Sequence, residues 1–367
     1  MSGHPAVQRL VSRYSARVKR ELCLALDRVG LLRPFTFVQW LATHGCNFRC
    51  AFCEASAGTA HGDELTTDEV KALLDDLAAF RVRRFLVSGG EPLTRPDVPK
   101  LMKYAHRRGL AVGLVSNGSL VAQRWRELAD TPLFLFFTSI DGPRAHHDRV
   151  RRAGSLDACL DSLRRYGDLG VPTRMVNTVV TPANLAMLPE IFEIVRGSGA
   201  NSWHLTPTAS VGRAGVDDRF TLSGSDLRQV VEFVRRARRE MDVDLCEAHG
   251  YLACLDGRPL GKPFFCGAGL TRCSIMPDGS VMGCHQVYDT RLAEGNVRER
   301  PFSRIWCEGF RRFRERRVPA ACHGCSHLGS CHGGCWAEME LHGVCLRDRW
   351  DAATFQDAVT TTRKPGA

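Results

Sequence analysis

Cys46, Cys50 and Cys53 stand in the run THGCNFRCAFCEA, spaced C-x3-C-x2-C. Thiolates this close on one loop are the usual ligands of an iron–sulfur cluster. Three ligands for four irons leave one iron open, and an open coordination position is what separates a catalytic metal centre from a structural one. The competing chemistry is a zinc site with a distant fourth ligand such as His44, although C-x2-C pairs rather than this triplet mark zinc. A second field of thiols crowds the last hundred residues: Cys266, Cys273 and Cys284, then Cys322, Cys325, Cys331, Cys335 and Cys345. Eight thiols are enough for two fully ligated four-iron clusters and, on spacing alone, also suit a pair of zinc ribbons. A fully ligated cluster has no iron left for substrate, so it would carry electrons. The remaining five, Cys23, Cys159, Cys246, Cys254 and Cys307, are scattered and read as small buried hydrophobes.

Sixteen cysteines in 367 residues also bear on where the chain works. A reducing cytosol disfavours structural disulfides, so a cysteine-rich intracellular chain binds metal or does redox chemistry. The first thirty residues mix charge throughout and lack the apolar stretch and small-residue cleavage site of a secretory signal. No run of eighteen apolar residues occurs, so no membrane span is expected and the chain reads as cytoplasmic. At 44% hydrophobic and 25% charged it can bury a large core, which excludes disorder, collagen-like repeats and a disulfide-dense miniprotein. The net charge of +10 is concentrated locally at Arg311, Arg312, Arg314, Arg316 and Arg317. Trp306, Phe310 and Phe313 recur at helical spacing in the same stretch, so these arginines read first as a solvated helix face and second as a patch for an acidic partner. No nucleic-acid module is present.

Such thiols need a frame. From residue 35 the sequence alternates strand-like runs, FTFVQWLAT (35–43), RFLVSGG (84–90), AVGLVSNG (111–118), LFLFFTSIDG (133–142), RMVNTVVT (174–181) and SWHLTPT (202–208), with amphipathic helical patterns. Six such repeats imply an α/β fold with parallel strands joined by crossovers. Six units are fewer than a closed eight-unit barrel needs, so an open, partial (β/α)6 barrel is expected, with its chemistry at the C-terminal strand ends. After about residue 241 the alternation stops. The divisions expected are a helical N-terminal extension (1–34), the barrel (35–240), a linker (241–265), a cysteine-rich domain (266–350) and a tail (351–367). Too few apolar residues remain in the cysteine-rich part for a core of its own, so metal should supply the missing stability.

C-x3-C-x-aromatic-C after the first strand, with Phe52 as its aromatic, resembles the radical S-adenosylmethionine (SAM) superfamily. The resemblance covers roughly residues 35 to 240. It implies that Cys46, Cys50 and Cys53 hold a [4Fe-4S] cluster whose open iron chelates the methionine amino and carboxylate groups of SAM. An electron from the reduced cluster then cleaves the sulfonium to methionine and a 5′-deoxyadenosyl radical. Gly89, Gly90 and Glu91 match the motif that holds the methionine amino group, for which a carboxylate is suited as a pure acceptor. Asn117 and Ser139 lie where the family contacts the ribose and nearby atoms. Arg151 matches an arginine that binds the SAM carboxylate, a task for its bidentate fork.

The second field, ordered C-x12-G-x4-C, gap, C-x2-C-x5-C-x3-C, gap, C from Cys266, is similar to the SPASM extension of radical SAM enzymes. By this likeness Cys266, Cys273, Cys284 and Cys335 hold one auxiliary cluster and Cys322, Cys325, Cys331 and Cys345 a second, three [4Fe-4S] clusters in all. In sulfatase-activating relatives an aspartate base follows the third of these cysteines; here the position is His285. A histidine can take a proton near neutral pH, so a catalytic base is retained in principle, while sulfatase activation is placed in doubt. The alternative is a hydrogen-bond donor to a cluster sulfide. His323, His327 and His332 are expected outside the ligand sets.

The resemblance implies an oxidoreductase: the radical takes substrate hydrogen, and the auxiliary clusters take an electron from the product radical. TPTASVGRAG (206–215) resembles segments of haem, peptide and cofactor maturases, so a peptide or cofactor-precursor maturase leads. A sugar or aminocyclitol dehydrogenase comes second, and a non-catalytic zinc or iron–sulfur protein third. A flavodoxin or ferredoxin would supply electrons. About 34 residues precede the first strand, too few for a fused leader-peptide reader, so a peptide substrate would need a separate carrier protein or direct recognition.

Overall fold

The computed structural model describes residues 16–34, 36–208, 211–245, 265–315, 320–325, 328–331, 333–337, 339, 343 and 345. The expectations for the tail and for Cys246, Cys254, Arg316, Arg317, His327 and His332 lie outside the described residues.

Among the described residues ten strands form one sheet in the order β10-β9-β8-β1-β2-β3-β4-β5-β6-β7. The six anticipated strands are β1 (Phe37–Leu41), β2 (Arg84–Ser88), β3 (Ala111–Val115), β4 (Leu133–Ser139), β5 (Thr173–Val180) and β6 (Ser202–Pro207), each parallel to the one before it. Around them lie α1 (Ala16–Arg28), α2 (Thr67–Ala79), α3 (Val98–Arg107), α4 (Trp125–Leu128), α5 (Arg144–Val150), α6 (Ser155–Asp168) and α7 (Leu188–Gly197). Helix α2 shows why the local sequence folds this way. The Thr66 hydroxyl accepts from the Glu69 N–H while the Glu69 carboxylate accepts from the Thr66 N–H, and Val70, Leu73, Leu74 and Leu77 then face the core at helical spacing. This is an α/β fold with a parallel-rich sheet, as a partial barrel requires.

Two expectations are corrected. The alternation does not stop at 241: helix α8 (Gly224–Ala237) leads to a seventh parallel strand, β7 (Asp242–Leu245), inside the expected linker and paired with β6. A four-residue strand, DVDL, is too short for its alternation to register. Nor does metal have to supply all the stability of the cysteine-rich part, whose described residues pack onto the barrel. Strand β8 (Arg272–Ile275) pairs parallel with β1, Cys273 standing opposite Val38, and β9 (Ser280–Met282) and β10 (Gly295–Asn296) extend the sheet antiparallel. Ile275, Val281, Phe302, Ile305, Trp306 and Phe310 join the barrel's own hydrophobic core. Each fully buried side chain of this kind contributes about 1.5–3 kcal/mol, so metal is not the sole source of stability here.

The arginine stretch is likewise not one solvated face. Helix α9 (Phe302–Glu308) ends at Gly309, and Phe310, with φ of 65°, starts α10 (Arg311–Arg314) in a new direction. Arg311 and Arg312 are exposed, but Arg314 is buried against the Trp306 and Phe310 rings and pairs with Asp27 of α1 at 2.8 Å. Arg20 adds hydrogen bonds to the carbonyls of Phe313 and Arg314, fastening α1 to the cysteine-rich part.

Candidate functional site

Strand β1 delivers the chain into a loop over residues 42–58. Its neck is closed by two hydrogen bonds: the Cys46 N–H donates to the Gly58 carbonyl at 2.8 Å, and the Gly58 N–H to the His44 carbonyl at 3.0 Å. Cys46, Cys50 and Cys53 are half-buried within it as free thiols. Burial pushes the Cys46 thiol up to about 11, and charge on Glu91, Cys50 and Cys53 pushes the same way, so the three sulfurs stand in one another's field. A coordinated metal reverses that logic by deprotonating a thiol outright, so this crowded thiol set fits an iron–sulfur cluster. The zinc alternative looks to His44 as its fourth ligand. The His44 ring instead stacks on His61 at 4.2 Å.

Beside the loop runs the turn after β2. The Gly90 N–H donates to the Thr43 carbonyl and the Glu91 N–H to the Gly45 carbonyl, both at 2.8 Å. A Cβ on Gly90 would sit 2.3 Å from the Gly45 oxygen, so only glycine allows this approach. The Glu91 carboxylate is wholly buried. It accepts from the Asn117 N–H at 2.7 Å, the Ser116 hydroxyl at 2.9 Å and the Leu93 N–H at 3.1 Å. Burial outweighs these bonds and pushes its pKa up to about 7. No basic side chain pairs with it among the described residues. Asn117 also donates from Nδ2 to Asn47 of the thiol loop at 2.9 Å, linking the end of β3 to the cysteines.

Across the sheet, Arg151 and Phe52 come together, the guanidinium 5.5 Å from the ring centroid. Arg151 Nε donates to the carboxylate of Asp141, near the end of the run LFLFFTSIDG. Asp141 is buried and also accepts from the Val179 N–H at 2.9 Å. Burial works against the Arg151 charge, but Asp141 and Cys50 hold its pKa raised. Ser139, half-exposed at the C-terminal end of β4, pairs in register with Asn177.

In the second field, Cys284 follows β9. Burial pushes its thiol up to about 11 and charge on Cys266 adds to this, so those two are neighbours. Cys331 is pushed up to about 12 by burial, then by Cys345 and Cys322, which brings these three together. Cys273 is buried in β8, and its thiol is raised by burial, with Arg314 acting in the opposite sense. Cys325 and Cys335 lie in the same segment, Cys335 within the core. His285 meets Arg272 and His204. Burial first, then these two, push its pKa down to about 3, so the ring is neutral in these surroundings.

The two cysteine fields touch through residues that sequence reasoning passed over. Gln286 donates to Glu54, the residue after Cys53, at 3.4 Å. The Tyr288 phenol is raised well above its ordinary pKa by burial, with Glu54, Cys53 and Cys284 adding to the effect. The available signal was that Glu54 is the one acid within 42–58.

The Radical SAM superfamily profile matches residues 40–195, and an iron–sulfur cluster-binding domain profile, SPASM, matches residues 266–326. The chain is 30% identical over 324 residues to an AdoMet-dependent heme synthase of Nitratidesulfovibrio vulgaris, covering 82% of this chain and 87% of that protein. It is 29% identical over 346 residues to the mycofactocin maturase MftC of Mycobacterium tuberculosis, covering 93% and 84%. The crystal structure of Streptococcus suis SuiB bound to S-adenosylmethionine superposes with a TM-score of 0.69 at 16% identity, over 89% of this chain and 79% of that one. SuiB bound to its precursor peptide SuiA superposes equally well, over 88% and 76%.

Proposed function

We infer the reaction class from membership: the chain belongs to the radical SAM superfamily, carries a SPASM iron–sulfur extension, and is a SAM-dependent enzyme. Radical SAM and SPASM domains bind [4Fe-4S] clusters. We assign Cys46, Cys50 and Cys53 to the cluster that meets SAM, and Cys266, Cys273, Cys284, Cys335 and Cys322, Cys325, Cys331, Cys345 to two auxiliary clusters. Reduced cluster chemistry supplies the electron that splits SAM into methionine and a 5′-deoxyadenosyl radical.

The protein's own groups bind and orient. The observation that carries the reading is Glu91, a buried carboxylate without a basic partner among the described residues, set hard against the thiol loop. The amino group of SAM offers only donors and would satisfy it. Arg151, its Nε held by Asp141, has two terminal nitrogens left for the SAM carboxylate. Gly89 and Gly90 keep the end of β2 within reach of the loop, and we assign Phe52, Asn117 and Ser139 to the same SAM site. His285, neutral in these surroundings, is assigned a hydrogen-bonding role beside Cys284 rather than that of a base.

The net reaction we propose is a two-electron oxidation of a peptide or cofactor precursor: a hydrogen atom would leave to the deoxyadenosyl radical, one electron to an auxiliary cluster and a proton to solvent. Support for the substrate class comes from relatives named as a mycofactocin maturase and a heme synthase, and from SuiB bound to a precursor peptide. Anaerobically purified protein is expected to be brown and to release 5′-deoxyadenosine from SAM under reduction. Colourless, zinc-loaded protein without that product would sink the assignment. Candidate peptides and precursors from neighbouring genes, incubated in deuterated buffer, would then identify the substrate by mass change.

A further inference from the structure

The thiol loop is held from the far side of the sheet. After β6 the chain runs back across the strand ends, and Arg213 meets the loop with three hydrogen bonds. Its N–H donates to the Cys53 carbonyl at 3.0 Å, its Nε to the Cys50 carbonyl at 2.8 Å and its Nη1 to the Ala57 carbonyl at 2.9 Å. Gly212 permits the contact: its φ is 59°, and a Cβ there would lie 2.1 Å from the Glu54 carbonyl oxygen and 2.4 Å from that of Cys53. Further along, Phe220 sets its ring edge-on to Phe52 at 6.1 Å. The charged, forked side chain therefore satisfies the main-chain acceptors of Cys50 and of Ala57 at the loop's exit, while the Arg213 backbone N–H satisfies that of Cys53.

These bonds fall on a segment without helix or strand, whose shape must otherwise be ordered when it takes up its ligand. Charge-assisted donors to carbonyls are stronger than neutral ones, and a planar guanidinium fixes direction as well as distance. A carbonyl turned toward Arg213 also turns the following N–H the opposite way across the trans peptide, which sets the orientation of the Cys50–Ala51 and Cys53–Glu54 units. We propose that Arg213 is a positioning residue for the three-thiol centre, holding the 46–58 loop in its cluster-binding shape before the cluster arrives. This rests on the reading that Cys46, Cys50 and Cys53 ligate the SAM-binding cluster.

The test uses full-length, anaerobically reconstituted protein carrying Arg213→Gln, Arg213→Lys or Gly212→Ala. Partners that orient metal ligands typically change metal affinity by about 10–100-fold when removed. In Arg213→Gln the cluster whose electron spin signal responds to SAM should be lost to a chelator about 10–100-fold more readily, with auxiliary iron retained. Arg213→Lys, which keeps the charge and one donor, should be intermediate. Gly212→Ala should reproduce the loss by pushing the segment off the loop. In metal-free protein, hydrogen exchange at 46–58 should quicken in Arg213→Gln while the thermal midpoint holds. Wild-type chelator resistance together with unchanged exchange would overturn the proposal, as would loss of all clusters through global unfolding. A wild-type protein without any SAM-responsive cluster, but with a loop protected by Arg213, would count against the parent reading and leave the positioning role supported.

Discussion

Arg151 and Asp141 form an ion pair at the mouth of the sheet, the carboxylate fully buried and the guanidinium only 11% exposed. The pair joins the residue that stacks over Phe52 to the turn after β4. Removing one member of a buried pair strands the other charge, at a cost of about 3–5 kcal/mol. Arg151→Ala should therefore lower unfolding stability by that amount in urea titrations, and Asp141→Asn in the same chain should restore part of it. A loss below about 1 kcal/mol would show that Asp141 does not depend on Arg151.

Glu91 makes stability pH-dependent in a defined direction. Its pKa of about 7 in the folded chain stands above the ordinary 4.5, so the folded state holds a proton that the unfolded state releases in between. The contribution is fully present below about 4.5 and is lost as pH rises through about 7, an amount on the order of 3 kcal/mol. Urea stability of metal-free protein between pH 5 and 8 should show this slope, and Glu91→Gln should flatten it. Equal slopes in the two proteins would mean that the carboxyl titrates normally.

Replacing Cys46, Cys50 and Cys53 together with Ala should abolish 5′-deoxyadenosine formation while leaving about eight irons per chain, two four-iron clusters. Near-complete iron loss, measured by colorimetric assay on anaerobically purified protein, would argue against separate auxiliary sites.

His285→Gln is the informative substitution in the second field. Glutamine keeps a donor and an acceptor but cannot serve as a base. With the imidazole pKa near 3 beside Arg272 and His204, product formation should stay within about tenfold of wild type. A fall of about 10²–10⁴-fold with SAM cleavage intact, and solvent deuterium returned to substrate, would restore the histidine as the base.

What was legible in the sequence was local. Strands β1 to β6 announce themselves by β-branched and aromatic runs with turn residues at their ends, and Glu91 follows two glycines that only a tight approach explains. Helix α8 has a signal readable in its own sequence: Ser223 and Asp226 form a capping box before Leu227, Val230, Val231 and Val234. What was not legible depends on distant parts of the chain. Arg213 reaches the Cys50 carbonyl across 163 residues, and Gln286 reaches Glu54 across 232. Strand β8 likewise finds β1 only once the sheet has formed, which periodicity within RCSI cannot indicate.

The β8–β1 ladder has a consequence for any attempt to separate the two halves. A chain ending before residue 266 would leave β1 as the sheet's outer strand, with main-chain groups along Phe37–Trp40 newly unpaired. Val38 and Trp40, both fully buried in the intact chain, would then lie along an open edge of the kind that recruits strands from other molecules. Such a fragment should aggregate through β1 even with its three thiols loaded. The cysteine-rich half therefore acts as the barrel's edge protector, and insolubility of a truncated chain would say nothing about electron transfer.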